Sequence, residues 1–217
     1  MNLTLNIPEK LSEITLSQYQ QWLKIAEGKE LDEFLQQKMI EIFCKIPLKQ
    51  VLSIKATDID SITATIGNLF TQDAKLIDRF ELNGKEFGFI PDLDKIAFGA
   101  YIDLDKYVAD WQLMNKAMSV LFRPITLKKK NKYLIEEYES AEKYDLREMT
   151  LDIAFGALVF FYQLKSECQS HILNYLATQT EVELPPALRA SLKSMDGTAP
   201  YIPLHKEMLE ELKTLQN

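Results

Sequence analysis

The chain has 217 residues, 47% of them hydrophobic and 26% charged, with seven glycines and two cysteines. That balance excludes wholesale disorder, collagen-like repetition and a disulfide scaffold, and the length suffices for a sizeable core. Lys and Arg total 25 against 32 Asp and Glu, a formal net charge of −7, so a general attraction to polyphosphate or to an anionic membrane is excluded.

Leu3, Leu5 and Ile7 alternate with polar residues, which predicts a short first strand. Thr15-Leu16-Ser17-Gln18 is a capping-box pattern, so a helix is expected from Leu16 to about Glu27, stopping at Gly28, with Leu16, Tyr19, Leu23 and Ala26 on one stripe. A second helix follows over Leu31 to Cys44, with Leu31, Phe34, Leu35, Met39, Ile42 and Phe43 facing inward. Pro47 opens a short third helix through Ser53, and Thr57 caps a fourth from Asp58 to Phe70. The period then changes. Ile77 to Glu81, Asn83-Gly84 and Lys85 to Ile90 read as a β-hairpin, because both residues of an Asn-Gly turn take positive φ. Gly88 leaves one face of the second strand thin and predicts a close approach there.

A helical stretch is expected from Leu93 to Phe122, broken or bent near Gly99, with Tyr107, Trp111, Met114, Met118, Leu121 and Phe122 on its apolar side. Arg123-Pro124 ends it. Tyr133 to Tyr138 resembles another strand that pairs with the hairpin. Thr150 caps the longest helix, Leu151 to about Ala177, whose first half is apolar almost all round and reads as the axis of the fold. Its most apolar part, Ile153 to Phe161, falls short of the roughly 20 residues that span a bilayer. Pro185, Pro186, Gly197, Pro200 and Pro203 then punctuate a linker before a final amphipathic helix carrying Met208, Leu209, Leu212 and Leu215. The expected class is therefore α+β, predominantly α-helical: a helical domain with a small antiparallel β-hairpin or sheet and a C-terminal helical arm. Residues 1–177 form the α-rich core domain and 178–217 the linker and arm.

The N-terminus shows no basic n-region and no long apolar stretch, so no signal peptide is expected. Cys44 and Cys168 are too few and too far apart for a framework, which points to the reducing cytosol. The chain holds two histidines, His171 and His205. Glu167, Cys168 and His171 lie one helical turn apart, but a structural zinc site wants four ligands in separated pairs, so no metal is expected. Asp92-Leu93-Asp94-Lys95 recurs as Asp103-Leu104-Asp105-Lys106, which two successive helix N-caps would explain. Neither copy has the glycine or the twelfth-position glutamate of a calcium loop. Their carboxylates are the best material for acid–base chemistry. The scattered glycines form no phosphate cradle and there is no nucleophile elbow, so neither a cofactor nor an enzyme is expected. Lys128, Lys129, Lys130 and Lys132 form the strongest basic run, placed in a loop; glutamates at 136, 137, 139 and 142 follow it, and nucleic-acid binding is disfavoured. The first strand and the final helix are the candidate partner-binding elements, by strand addition or helix-in-groove docking.

Three segments carry a resemblance: Ile14 to Gln20; Phe87 to Pro91 continuing through Phe98 to Asp105 and Leu121 to Ile125; and Met149 to Leu158. Over most of residues 14–165, though not after Gln179, the chain resembles proteins of tailed bacteriophages, crAss-like phages of Bacteroidetes among them, that look like virion structural or assembly components. The resemblance implies a non-enzymatic protein of the virion, in a portal or tail-junction ring or as internal cargo. Its partners would be other phage structural proteins, a homo-oligomer included, with no membrane. The alternative it implies is a tail-assembly chaperone that binds a client transiently and is absent from the particle. It carries over no catalytic residue.

Overall fold

The computed structural model describes residues 5–163. The chain divides into two compact units, Met1–Ala157 and Leu158–Asn217. The first is an α+β, helix-rich fold. Its elements are six helices, α1 Leu16–Ala26, α2 Glu33–Phe43, α3 Leu48–Val51, α4 Ala56–Leu69, α5 Phe98–Tyr107 and α6 Met114–Leu121, and four strands, β1 Arg79–Leu82, β2 Lys85–Phe89, β3 Phe122–Lys129 and β4 Lys132–Ile135. A further helix, α7, takes in 151–163 among the described residues.

α1 starts as its sequence dictates. The Thr15 hydroxyl accepts from Gln18 N, and the Gln18 side chain accepts from Thr15 N at 3.0 Å, so two first-turn donors are satisfied reciprocally. Gly28, at φ 68°, follows its end. Tyr19 is the centre of the helical core: its ring meets Phe70, Trp111 and Phe155 at centroid distances of 5.2, 5.1 and 5.3 Å. Trp22 is buried as well, while Leu23 and Ala26 of the expected stripe are half-buried. Gln18 ties α1 to the end of α2 by donating to Ile42 O at 2.6 Å. In α2 the inward face is Leu35, Met39, Ile40, Ile42 and Phe43. Phe34, expected inside, is exposed, with the Lys38 ammonium 5.9 Å from its ring centre. α4 begins two residues earlier than expected, with Lys55 in the cap position. Thr57 lies within its first turn and does not cap it.

The sheet is an antiparallel meander in the order β1-β2-β3-β4. Asn83 and Gly84 take φ of 52° and 72°, the type I′ geometry expected of that turn. Phe87 and Phe89 share the core face, where Phe80 stacks on Phe87 and Phe122 meets both Phe80 and Phe89 edge-on. On the opposite face the gap left by Gly88 is filled by Tyr133. A Cβ at Gly88 would come within 2.4 Å of the Tyr133 ring. Tyr133 reaches across β3 and its hydroxyl donates to Phe89 O at 2.8 Å, strapping β4 to β2.

β3 corrects the sequence reading. The helix ends at Leu121, one residue short of the expected end, but Arg123-Pro124 then lie inside a strand that was not expected there. Proline is tolerated there because the Pro124 carbonyl faces the β4 side, where it accepts from Glu136 N at 2.9 Å. The missing N–H would point to that same side, so the β2–β3 ladder loses nothing. β4 pairs with β3, not with the hairpin directly, and stops at Ile135. The stretch before β3 breaks at 108–110, between α5 and α6, while Gly99 sits in the first turn of α5. The second Asp-Leu-Asp-Lys copy lies within α5, so it is no N-cap. The expected first strand is not formed at Leu5 to Ile7.

Residues 151–157 of α7 are buried apart from half-buried Asp152, which makes these seven residues the hydrophobic axis expected of them. Gly156 is the point of closest approach: a Cβ there would lie 2.1 Å from the carbonyl oxygen of Lys75. α7 is joined to α1 across the chain. Leu16 N donates to Met149 O, Ser17 N to Arg147 O and Leu151 N to Ile14 O, all at 2.8–2.9 Å. The second half of the long helix, the boundary after 177 and the arm over 178–217 lie outside the described residues, as do Glu167, Cys168, His171 and His205.

Candidate interaction surface

α5 is anchored by Ala100, Leu104 and Val108, which are buried. It is pinned from the other side by Tyr138, whose hydroxyl donates to the Asp103 carboxylate. Burial first, and then that carboxylate, push the Tyr138 phenol well above its ordinary pKa. The Arg123 guanidinium lies 5.9 Å from the Tyr138 ring centre, and burial lowers its pKa. With its buried stripe fixed in this way, α5 turns Phe98, Tyr101 and Ile102 outward. They are 79, 52 and 48% exposed and, at i, i+3 and i+4, form one apolar stripe. Asp105 continues it one turn further and is exposed.

A second apolar patch lies on the β3–β4 hairpin. Leu127 and Leu134 are register partners, so they share a face, and each is 59% exposed. The lysine run is the tip of this hairpin, not a loop between a helix and a strand. Lys128 and Lys129 end β3, Lys130 turns at φ 56° and Lys132 opens β4. Lys128 pairs with Glu86 of β2. Lys129, Lys130 and Lys132 are exposed.

The groups expected to be the best material for acid–base chemistry are not brought together. Asp92 pairs with Lys95 at 2.6 Å, Asp103 holds Tyr138, and Asp105 faces outward. Among the described residues no group of three or more His, Cys, Asp or Glu is placed to hold a metal ion. A polar cleft of about 530 Å³ lies between the middle of α1, the start of α6 and residues 141–147. Its groups are committed to one another. Gln20 donates to Trp111 O and Gln112 donates to Gln20 O, at 2.8 and 3.0 Å. Lys116 pairs with Glu142 and Arg147 with Asp145, each at 2.6 Å. These partners hold the carboxyls of Glu142 and Asp145 below the ordinary range, so neither keeps a proton to donate near neutrality. Cys44 is buried, and burial pushes its thiol up to about 11, far from the thiolate a nucleophile needs.

Of the residues expected to bind a partner, Lys128, Lys129 and Lys130 are placed on the hairpin tip; Met208, Leu209, Leu212 and Leu215 lie outside the described residues. The α5 stripe was missed. Its signal was present: a ten-residue helix with apolar residues at 98, 101 and 102 as well as at 100 and 104 has apolar residues on two faces, more than one core contact uses. No helix among the described residues is long and apolar enough to cross a membrane. No family model, curated protein or solved structure matches this chain.

Proposed function

We propose that this chain is a non-enzymatic bacteriophage structural or assembly protein that acts through protein–protein contacts, in a portal or tail-junction ring or as internal cargo. The observation that supports this reading is the outward stripe of α5. Three large apolar side chains on a pinned helix, exposed and contiguous, are what a partner-binding face requires. The cleft beside α6 supports it from the other direction, because its ionisable groups are neutralised in pairs.

A quantitative immunoblot of density-purified particles against cleared host lysate tests the reading. A fixed copy number per particle is the expected result, with Phe98→Lys/Ile102→Lys lowering incorporation. Absence from particles alongside abundance in the lysate rejects the structural role and leaves the tail-assembly chaperone, to be pursued by pull-down of its client.

A further inference from the structure

We infer that the partner of the α5 stripe is a second copy of this chain, which docks the tip of its β3–β4 hairpin there. The inference rests on the reading of α5 as a contact face and names what covers it. Two unlike apolar patches stand on the same compact unit, and both are open to solvent, so they do not cover each other within one copy. Their charges are complementary. Residues 126–134 contain four lysines and no carboxylate, whereas the charged residue on the outward stripe of α5 is the exposed Asp105. At the hairpin, Leu127 and Leu134 form the apolar centre and Lys129, Lys130 and Lys132 the rim. On α5, Phe98, Tyr101 and Ile102 form the centre, and Asp105 extends the stripe on the same face. Apolar centres flanked by opposite charge, lysines on the hairpin and Asp105 on α5, are what a specific protein contact uses. The hairpin is stiff enough to serve as the inserted element. Tyr133 straps β4 to β2, and the Thr126 hydroxyl donates to Leu134 O at 3.3 Å beside the register shift of β3.

Because the two faces differ, the contact is heterologous. Each copy offers one hairpin and one α5, so the contact repeats from copy to copy until it closes a ring or continues as a chain.

The test uses the purified full chain and light scattering coupled to size exclusion. At about 100 µM, a concentration that fills even a micromolar contact, the chain is expected to run as multiples of its 25.1 kDa mass. Phe98→Lys/Ile102→Lys disables α5, and Leu127→Glu/Leu134→Glu disables the hairpin. Both pairs of residues are exposed, so each variant is expected to melt as the parent does and to run as a monomer. Mixed, the two variants retain one intact hairpin and one intact α5 between them, and a dimer with nothing larger is expected. A monomeric parent chain, an unchanged oligomer in either variant, or a mixture that stays monomeric overturns the inference. If the parent chain is monomeric while the α5 variant is still lost from particles, α5 remains a contact face and only the second copy as its partner is rejected.

Discussion

Gly156 allows a helix to pass against a bare backbone. A methyl group there would overlap the Lys75 carbonyl, and neither a backbone oxygen nor a packed helix yields easily. Gly156→Ala is expected to destabilise the fold by about 3 kcal/mol or more, read as a drop in the urea midpoint. Cys44 makes a second prediction. Its thiol, pushed up to about 11 from an ordinary 9.0, keeps its proton in the folded chain where the unfolded chain has lost it. Stability contributed by this group is therefore complete below about pH 9 and declines as pH rises toward about 11. Alkylation followed by peptide mapping at pH 8 should leave Cys44 unmodified until the protein is unfolded. Some of this scale was legible in the sequence. The absence of a side chain at Gly88 announced a close approach, although not that Tyr133 supplies it from two strands away. Gly156 gave no such sign, because glycine within an apolar run has no local signature of the chain segment lying against it.

At the scale of elements, the sequence was most informative where the decisive contacts are local. The Thr15–Gln18 box and the Asn83-Gly84 turn are closed within four residues, and both formed as expected. Thr15→Ala removes the cap and is expected to cost about 1 kcal/mol, checked by the shift in thermal midpoint. The Tyr133 strap predicts a stronger effect on the sheet. Tyr133→Ala should expose the Gly88 face and increase hydrogen exchange at β4 amides well before global unfolding. β3 was missed for a physical reason. Its proline is a helix stop when read locally, and only the position of Glu136 on the neighbouring chain segment shows that its missing donor faces away from the β2–β3 ladder. The outward stripe of α5 was overlooked for the converse reason: apolar spacing marks a helical face without saying whether anything covers it.

For the whole molecule, the architecture divides contacts by distance along the chain. The sheet is a meander whose pairings are all between successive strands, and α1, α2 and α4 pack as near neighbours. The expected class followed from that pattern, since a helical period interrupted once by an alternating one permits few other arrangements. The join between α1 and the start of α7 is different. Ser17 hydrogen-bonds Glu148, 131 positions away, beside the backbone bonds that link Leu16 to Met149 and Ile14 to Leu151. Closing a loop of that length costs about 3 kcal/mol more than closing one of a few residues, so these contacts form only when nearly everything between them is in place. During synthesis the sheet can assemble as its strands emerge, while Leu16 and Tyr19 wait for Met149 and Phe155. A ribosome-stalled chain ending at residue 145 is therefore expected to be protease-sensitive at α1, and one that has fully released residue 157 to be resistant. The last turns of the first compact unit thus set the moment in translation at which its earliest helix becomes safe from degradation.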